Sequence, residues 1–171
     1  MNGMRITVAG VVAAVAAALV PAAAQAGNAP VTCFIQTNDG HYLTAVGGGG
    51  RVTDVLHTDA TKPRSWERFT LVDSGDGAAN IHYGFRTFRG QYLTAVGGGG
   101  RTSDVIHSDA TALRAWEKLS VDSLGHDIYA IETINGHYLT AVGGGGRTSD
   151  VIHSDATRIG AWERFRFSCG H

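Results

Sequence analysis

The chain has 171 residues, with 14 Lys and Arg against 15 Asp and Glu, a formal charge of −1, 43% hydrophobic residues, 24 Gly, 3 Pro and 2 Cys. That is material for one ordinary domain with a real core, and the near-neutral balance excludes both the basic excess by which nucleic-acid binders displace counterions and a polybasic membrane patch. Glycine stands at about twice the usual share of roughly 7%, and half of it falls in three identical blocks of four.

Met1 to Arg5 carries one positive charge, Ile6 to Val20 is an almost unbroken apolar run, and Ala24-Gln25-Ala26 sets small residues at minus three and minus one of a cleavage point. This order predicts a secretory signal peptide over residues 1–26. The run is shorter than the roughly 20 apolar residues of a membrane anchor, and no Cys follows the cleavage point to carry a lipid. The mature chain then starts at Gly27, secreted, with 145 residues.

From there the chain repeats itself. Gly40 to Thr61 reads GHYLTAVGGGGRVTDVLHTDAT, Gly90 to Thr111 reads GQYLTAVGGGGRTSDVIHSDAT, and Gly136 to Thr157 reads GHYLTAVGGGGRTSDVIHSDAT. The second and third agree at 21 of 22 positions, whereas the nine residues before them, Ile81 to Arg89 and Asp127 to Asn135, agree only at Tyr83/Tyr129 and Thr87/Thr133. The segment has been held while its flanks drifted, so a shared structure or a shared ligand constrains it. Each unit closes on Trp, an acid, a base and an apolar residue, from Trp66, Trp116 and Trp162. The units run over about 32–80, 81–126 and 127–171.

No segment sustains a 3.6-residue apolar period, whereas short runs alternate with period two. In the first unit strands are expected at Thr32–Thr37, His41–Val46, Asp54–Thr58 and Glu67–Val72, with a hairpin turn at Asn38-Asp39-Gly40. Alternation points Ile35, Leu43, Ala45, Phe69 and Leu71 inward, and their counterparts in later units, among them Phe85, Val121 and Phe167. Three units of four strands predict an all-β fold, a β-trefoil of twelve strands in three pseudo-threefold repeats, with a six-stranded barrel closed at one end by three hairpins. A propeller needs at least four blades, and a solenoid needs capping units.

Cys33 shares the parity of Ile35 on the first strand, and Cys169 that of Phe167 on the last. A secreted chain with two cysteines pairs them, and in a closed trefoil these strands are neighbours. A Cys33–Cys169 disulfide would staple the seam, adding up to about 5 kcal/mol in the chain-entropy model for so long a loop.

NGHYLTAVGGGG, DVIHSDAT and AWERF together resemble the fascin-like β-trefoil domains, whose repeats carry a Gly-x-Tyr-Leu-x-Ala hairpin, a glycine run and a Trp-Glu-x-Phe closing strand. The resemblance spans the mature chain three times over. It implies the fold and a binding role, since β-trefoils serve as lectins, protease inhibitors, cytokines and actin cross-linkers. Fascin itself joins four trefoils in the cytoplasm, whereas one trefoil behind an export signal argues against actin bundling. The Gln-x-Trp signature of ricin-type lectins is absent, with Glu following Trp in each closing strand.

The glycine blocks lack the Gly-Lys-Ser/Thr of a phosphate loop; they read as hairpin loops that visit positive φ or lie against a neighbour, with a share left for a flat ligand such as a sugar ring. Asp54, His57 and Asp59, with Asp104, His107, Asp109 and Asp150, His153, Asp155, match no zinc or calcium spacing, and three near-identical copies around an axis do not build one asymmetric catalytic centre. No catalytic residue, metal or cofactor is expected. The structural reading has the aspartates capping turns and His57, with the parity of Val55, turned inward. The functional reading has carboxylates and imidazoles bonding sugar hydroxyls, with Arg51, Arg101 and Arg147 as donors. Tyr42, Tyr92, Tyr138 and the three Trp are expected to be mostly core. The functional expectation is a monomeric, non-catalytic, carbohydrate-binding module with up to three equivalent sites for a glycan or polysaccharide. The alternative is an actin-type or other protein partner, with Ser74 to Asn80 as the one loop unique enough for a protease inhibitor.

Overall fold

The computed structural model describes residues 29–77 and 81–170. The predicted signal peptide over residues 1–26 lies outside the described residues, as do Ala78, Ala79 and Asn80 of the inter-repeat loop.

Twelve strands form in chain order: β1 (Val31–Gln36), β2 (Tyr42–Ala45), β3 (Leu56–Ala60), β4 (Arg68–Asp73), β5 (His82–Arg86), β6 (Tyr92–Ala95), β7 (Ile106–Ala110), β8 (Leu119–Gly125), β9 (Ile128–Thr133), β10 (Tyr138–Ala141), β11 (Ile152–Ala156) and β12 (Phe165–Gly170). Antiparallel pairing runs β1 to β4, β4 to β5, β5 to β8, β8 to β9, β9 to β12 and β12 back to β1, which closes a six-stranded barrel. The pairs β2/β3, β6/β7 and β10/β11 are the three hairpins. The fold is a β-trefoil.

The turns follow from local chemistry. Gly40, Gly90 and Gly136 sit at φ +83°, +90° and +79°, which only glycine adopts without strain, and link the first two strands of each repeat. The third strand starts two residues later than the alternation predicted, at Leu56 instead of Asp54. Asp54, Asp104 and Asp150 hold φ of +49°, +48° and +50°, a left-handed turn conformation in which a strand cannot begin.

The core is layered by the pseudo-symmetry. Ile35, Phe85 and Ile131 form one buried set, Phe69, Leu119 and Phe165 another, and Leu43, Leu93 and Leu139 a third. Bulk in one repeat fills space left by another: Phe85 meets Phe167 edge-on with ring centroids 6.3 Å apart. Val121 packs on this core but stays partly exposed where Leu71 and Phe167 are buried. Cys33 pairs with Cys169 in the β1/β12 register and forms the predicted disulfide. The loop after β4 is pinned, since Asp76 accepts from Lys118 Nζ at 3.2 Å and lies 3.0 Å from His82 Nδ1.

The glycine blocks stitch one repeat to the next. Gly50 N donates to Ser108 O, and Ser108 N to Arg51 O; Gly100 and Arg101 meet Ser154 in the same way, and Gly146 and Arg147 meet Thr58, which closes the cycle. All four glycines of each block hold positive φ. At Gly49 an added Cβ would lie 2.2 Å from Thr87 Oγ1, and Gly145 stands in the same relation to Thr37. Close packing between repeats therefore explains why these residues are identical while their flanks differ.

Candidate functional site

The twelve predicted site residues divide into two places. The first is the closed clusters on the turn before each third strand. Arg51 Nη2 donates to Asp54 Oδ2 at 3.2 Å, Arg51 Nε donates to the Thr53 carbonyl at 3.2 Å, and His57 Nε2 lies 2.7 Å from Asp54 Oδ1. Arg101, Asp104 and His107 repeat the arrangement, as do Arg147, Asp150 and His153. His57 is not turned into the core: it alternates with buried Leu56 and Thr58 and faces the turn carboxylate. Among the described residues, Asp54, Asp104 and Asp150 take no backbone N–H on their carboxylates; they tie the loop through Arg and His side chains. The three clusters ring an open depression of about 600 Å³ on the pseudo-threefold axis, lined by residues 52–56, 102–106 and 148–152. Each of the three turn carboxylates already has two side-chain partners, and these aspartate side chains stay about half exposed.

The second place is the tryptophan turn, and here the sequence expectation is corrected. Trp66, Trp116 and Trp162 are not core; they are 47%, 49% and 48% exposed. The reason lies one residue on. Glu67, Glu117 and Glu163 take the buried position, where Oε1 accepts from the hydroxyl of Thr44, Thr94 or Thr140 at 2.7–2.8 Å. Their other oxygen accepts the backbone N–H of Arg64, Arg114 or Gly160 at 2.7–2.9 Å. Trp66 and Trp116 lie on the short 3-10 turns Ser65–Glu67 and Ala115–Glu117, which these glutamates hold. Burying the acid with both oxygens satisfied turns the indole outward.

Asp59 belongs to this second place. It projects from β3 into a groove of about 410 Å³ lined by Thr44, Lys62, Arg64, Trp66 and Glu67. Asp109 and Asp155 occupy the equivalent exposed position on β7 and β11. The other wall varies: Lys62 becomes Ala112 and Arg158, and Arg64 becomes Arg114 and Gly160. An apolar indole face beside a carboxylate and flexible cations can cover the C–H face of a ring and bond its hydroxyls. Trp followed by Glu in a strand-opening quartet was the available signal, but parity alone does not say which of two adjacent residues is buried. Tyr42, Tyr92 and Tyr138 lie partly buried on their hairpins, with Tyr42 packed edge-on against Phe34. Among the described residues no cluster of His, Cys, Asp and Glu could hold a metal ion.

Fold and groove together define a β-trefoil with three repeated aromatic turns. Among solved structures the chain is similar to the designed threefold-symmetric protein ThreeFoil, with a TM-score of 0.63 at 13% identity over 81% of this chain and 96% of that one. It is similar also to the Rhizoctonia solani agglutinin (0.65, 13%, 84% and 98%). A third is the Polyporus squamosus lectin bound to a human-type influenza-binding epitope (0.60, 16%, 80% and 48%). No family model matches the chain, and no curated protein matches it. At these identities the likeness is one of fold, and the finer likeness to fascin-like domains rests on the sequence motifs.

Proposed function

We propose that the protein is a secreted, non-catalytic carbohydrate-binding module whose three tryptophan turns contact one polysaccharide at once. The observation that carries the reading is the half-exposed Trp at the same place in each repeat. Each forgoes on the order of 1 kcal/mol of apolar burial, and each is held out by a buried, fully bonded glutamate. The groove beside Trp66 adds Asp59 as an acceptor for sugar hydroxyls and Lys62 and Arg64 as donors. Trefoil neighbours that include an agglutinin and a lectin bound to a sialylated trisaccharide support the same ligand class. The disulfide suits an oxidising, extracellular setting, and no helix among the described residues is long and apolar enough to cross a membrane. Three weak contacts on one polymer add avidity because the second and third are effectively intramolecular.

The Arg51–Asp54–His57 clusters are assigned to holding the axial loops, and the ligand role passes to Asp59, Asp109 and Asp155 with the Trp side chains. Retention on insoluble polysaccharides tests the division. Each single Trp→Ala variant is expected to weaken retention by about tenfold or less, and the triple variant W66A/W116A/W162A to abolish it. The triple variant D54N/D104N/D150N is expected to stay bound. Wild-type retention by the folded triple Trp variant would overturn the assignment.

A further inference from the structure

The three repeat junctions fold alike but are not charged alike. Where the first repeat meets the second, a groove of about 350 Å³ is lined by Arg68, Arg86, Phe88 and Arg89, with Thr32 and Thr70 beside them. Arg68 places its guanidinium 5.7 Å from the centre of the Phe88 ring. Phe88, Arg89 and Trp66 converge on Gly48, where an added Cβ would lie 3.3–3.4 Å from all three. The groove is thus continuous with the Trp66 turn. Strand register lines up its charges: Thr32 faces Thr70, Thr70 faces Arg86, and Phe34 faces Arg68. Gln36 on the same outer face pairs with Arg166 of β12. By alternation, the outward positions of β12, β1, β4 and β5 hold Arg166, Arg68 and Arg86 and no carboxylate. Among the described ion pairs, none involves Arg68, Arg86 or Arg89.

The fold does not require this cluster. The equivalent positions are Lys118, Glu132 and Asn135 at the second junction, and Arg164, Gln36 and Asp39 at the third. A chain of net charge −1 has therefore gathered three arginines, without acidic partners among the described residues, at one junction, against their mutual repulsion. Guanidinium groups bond planar or tetrahedral oxyanions through paired N–H donors and keep their charge at any working pH. A single patch on a chain without basic excess does not fit a nucleic-acid backbone, which rewards an extended track of cations.

We propose that this groove binds the sulfate or carboxylate groups of an acidic polysaccharide, with Phe88 and Trp66 supporting the adjoining sugar ring. The proposal rests on the carbohydrate-binding reading and adds the charge of the ligand and the one repeat that reads it. It distinguishes the first junction as the site of selectivity, with Trp116 and Trp162 supplying uncharged contacts.

The test titrates 15N-labelled protein with a fully sulfated disaccharide and, separately, with a diuronic acid, following the arginine side-chain Nε resonances. A parallel arm compares retention on heparin and on the same polymer after desulfation. Expected are shifts at Arg68 and Arg86 but not at Arg51, Arg101 or Arg147, and retention on heparin that falls with salt. The response to the two disaccharides tells which oxyanion is preferred. R68Q/R86Q, at one exposed and one partly exposed position, is expected to lose affinity for the sulfated ligand by about tenfold or more, while R164Q, at the exposed equivalent of Arg68 in the third junction, keeps it; R89Q alone provides a milder variant. Absence of shifts at Arg68 and Arg86 with both disaccharides, wild-type affinity in folded R68Q/R86Q, or displacement of the sulfated ligand by single-stranded DNA at equal phosphate concentration would each overturn the proposal. Failure of the broader reading shows separately, as loss of any Trp dependence on uncharged polysaccharide, an arm that the arginine substitutions leave alone.

Discussion

Replacing Gly49 by Ala is the sharpest probe of the inter-repeat stitching. Gly49 sits at φ +110° with ψ −174°, a region that L-residues reach only with strain, at about 1–3 kcal/mol. Its new Cβ would also lie 2.2 Å from Thr87 Oγ1 and 2.9 Å from Thr87 Cβ, so the two repeats must move apart. Such overpacking costs a further 1–3 kcal/mol or so, giving about 4 kcal/mol in all. Gly40 is the control. At φ +83° it carries the backbone term, but nothing lies within 4 Å of its added Cβ, so G40A should cost only about 1–2 kcal/mol. Urea denaturation, with m-values checked for equality, measures both. At about 2–4 °C per kcal/mol for a domain of this size, G49A should melt roughly 8–16 °C below wild type. The double variant G49A/T87A should recover part of the loss, because Thr87 Oγ1 has no bond of its own to forfeit. Equal destabilisation by G49A and G40A, or no recovery in the double variant, would refute the packing account of the glycine blocks.

Glu67→Gln turns one acceptor into a donor that faces either the Thr44 hydroxyl or the Arg64 N–H; a loss of about 1–3 kcal/mol is expected in the same denaturation assay, with a change in Trp fluorescence as the turn loosens. C33S/C169S should lose about 2–5 kcal/mol, read as a lower urea midpoint. Glu132 is held above the usual carboxylate range by burial, then by Asp122, against an opposing pull from His82. Its carboxyl therefore ionises more readily in the unfolded chain, so stability falls as pH rises from the unfolded value through the folded one. Thermal melts of Glu132→Gln should accordingly show a small gain at pH 7 that vanishes below about pH 4, small because the side chain is partly exposed and screened.

Period-two alternation and the threefold repeat placed Ile35, Leu43, Phe69 and Phe165 in the core, and the parity of Cys33 and Cys169 placed them opposite one another. The core positions hold because each needs only a residue's place along its own strand, and the disulfide holds because the closed barrel makes β1 and β12 neighbours. The same rule failed at Asp54, where a left-handed turn delays the strand, and at Trp66, where the adjacent Glu67 takes the buried position once Thr44 and the Arg64 N–H are within reach of it. Asp54 and Asp59 illustrate the limit further. Five residues apart in one motif, they point to different depressions, one on the axis and one beside the indole.

The amino-acid sequence by itself determined the number of units, the strand content and the hairpin glycines, since all of these are local or repeated, and the closing disulfide, since two cysteines allow only one pairing. Only the tertiary structure decided what the glycine blocks touch, which aromatic rings face water, and that arginines of β4, β5 and the following turn share one groove. These are contacts between segments far apart in the chain, made where one repeat crosses the next. Threefold repetition hides them, because nearly identical segments are set against flanks that differ, and only the packed barrel shows which flank each segment meets.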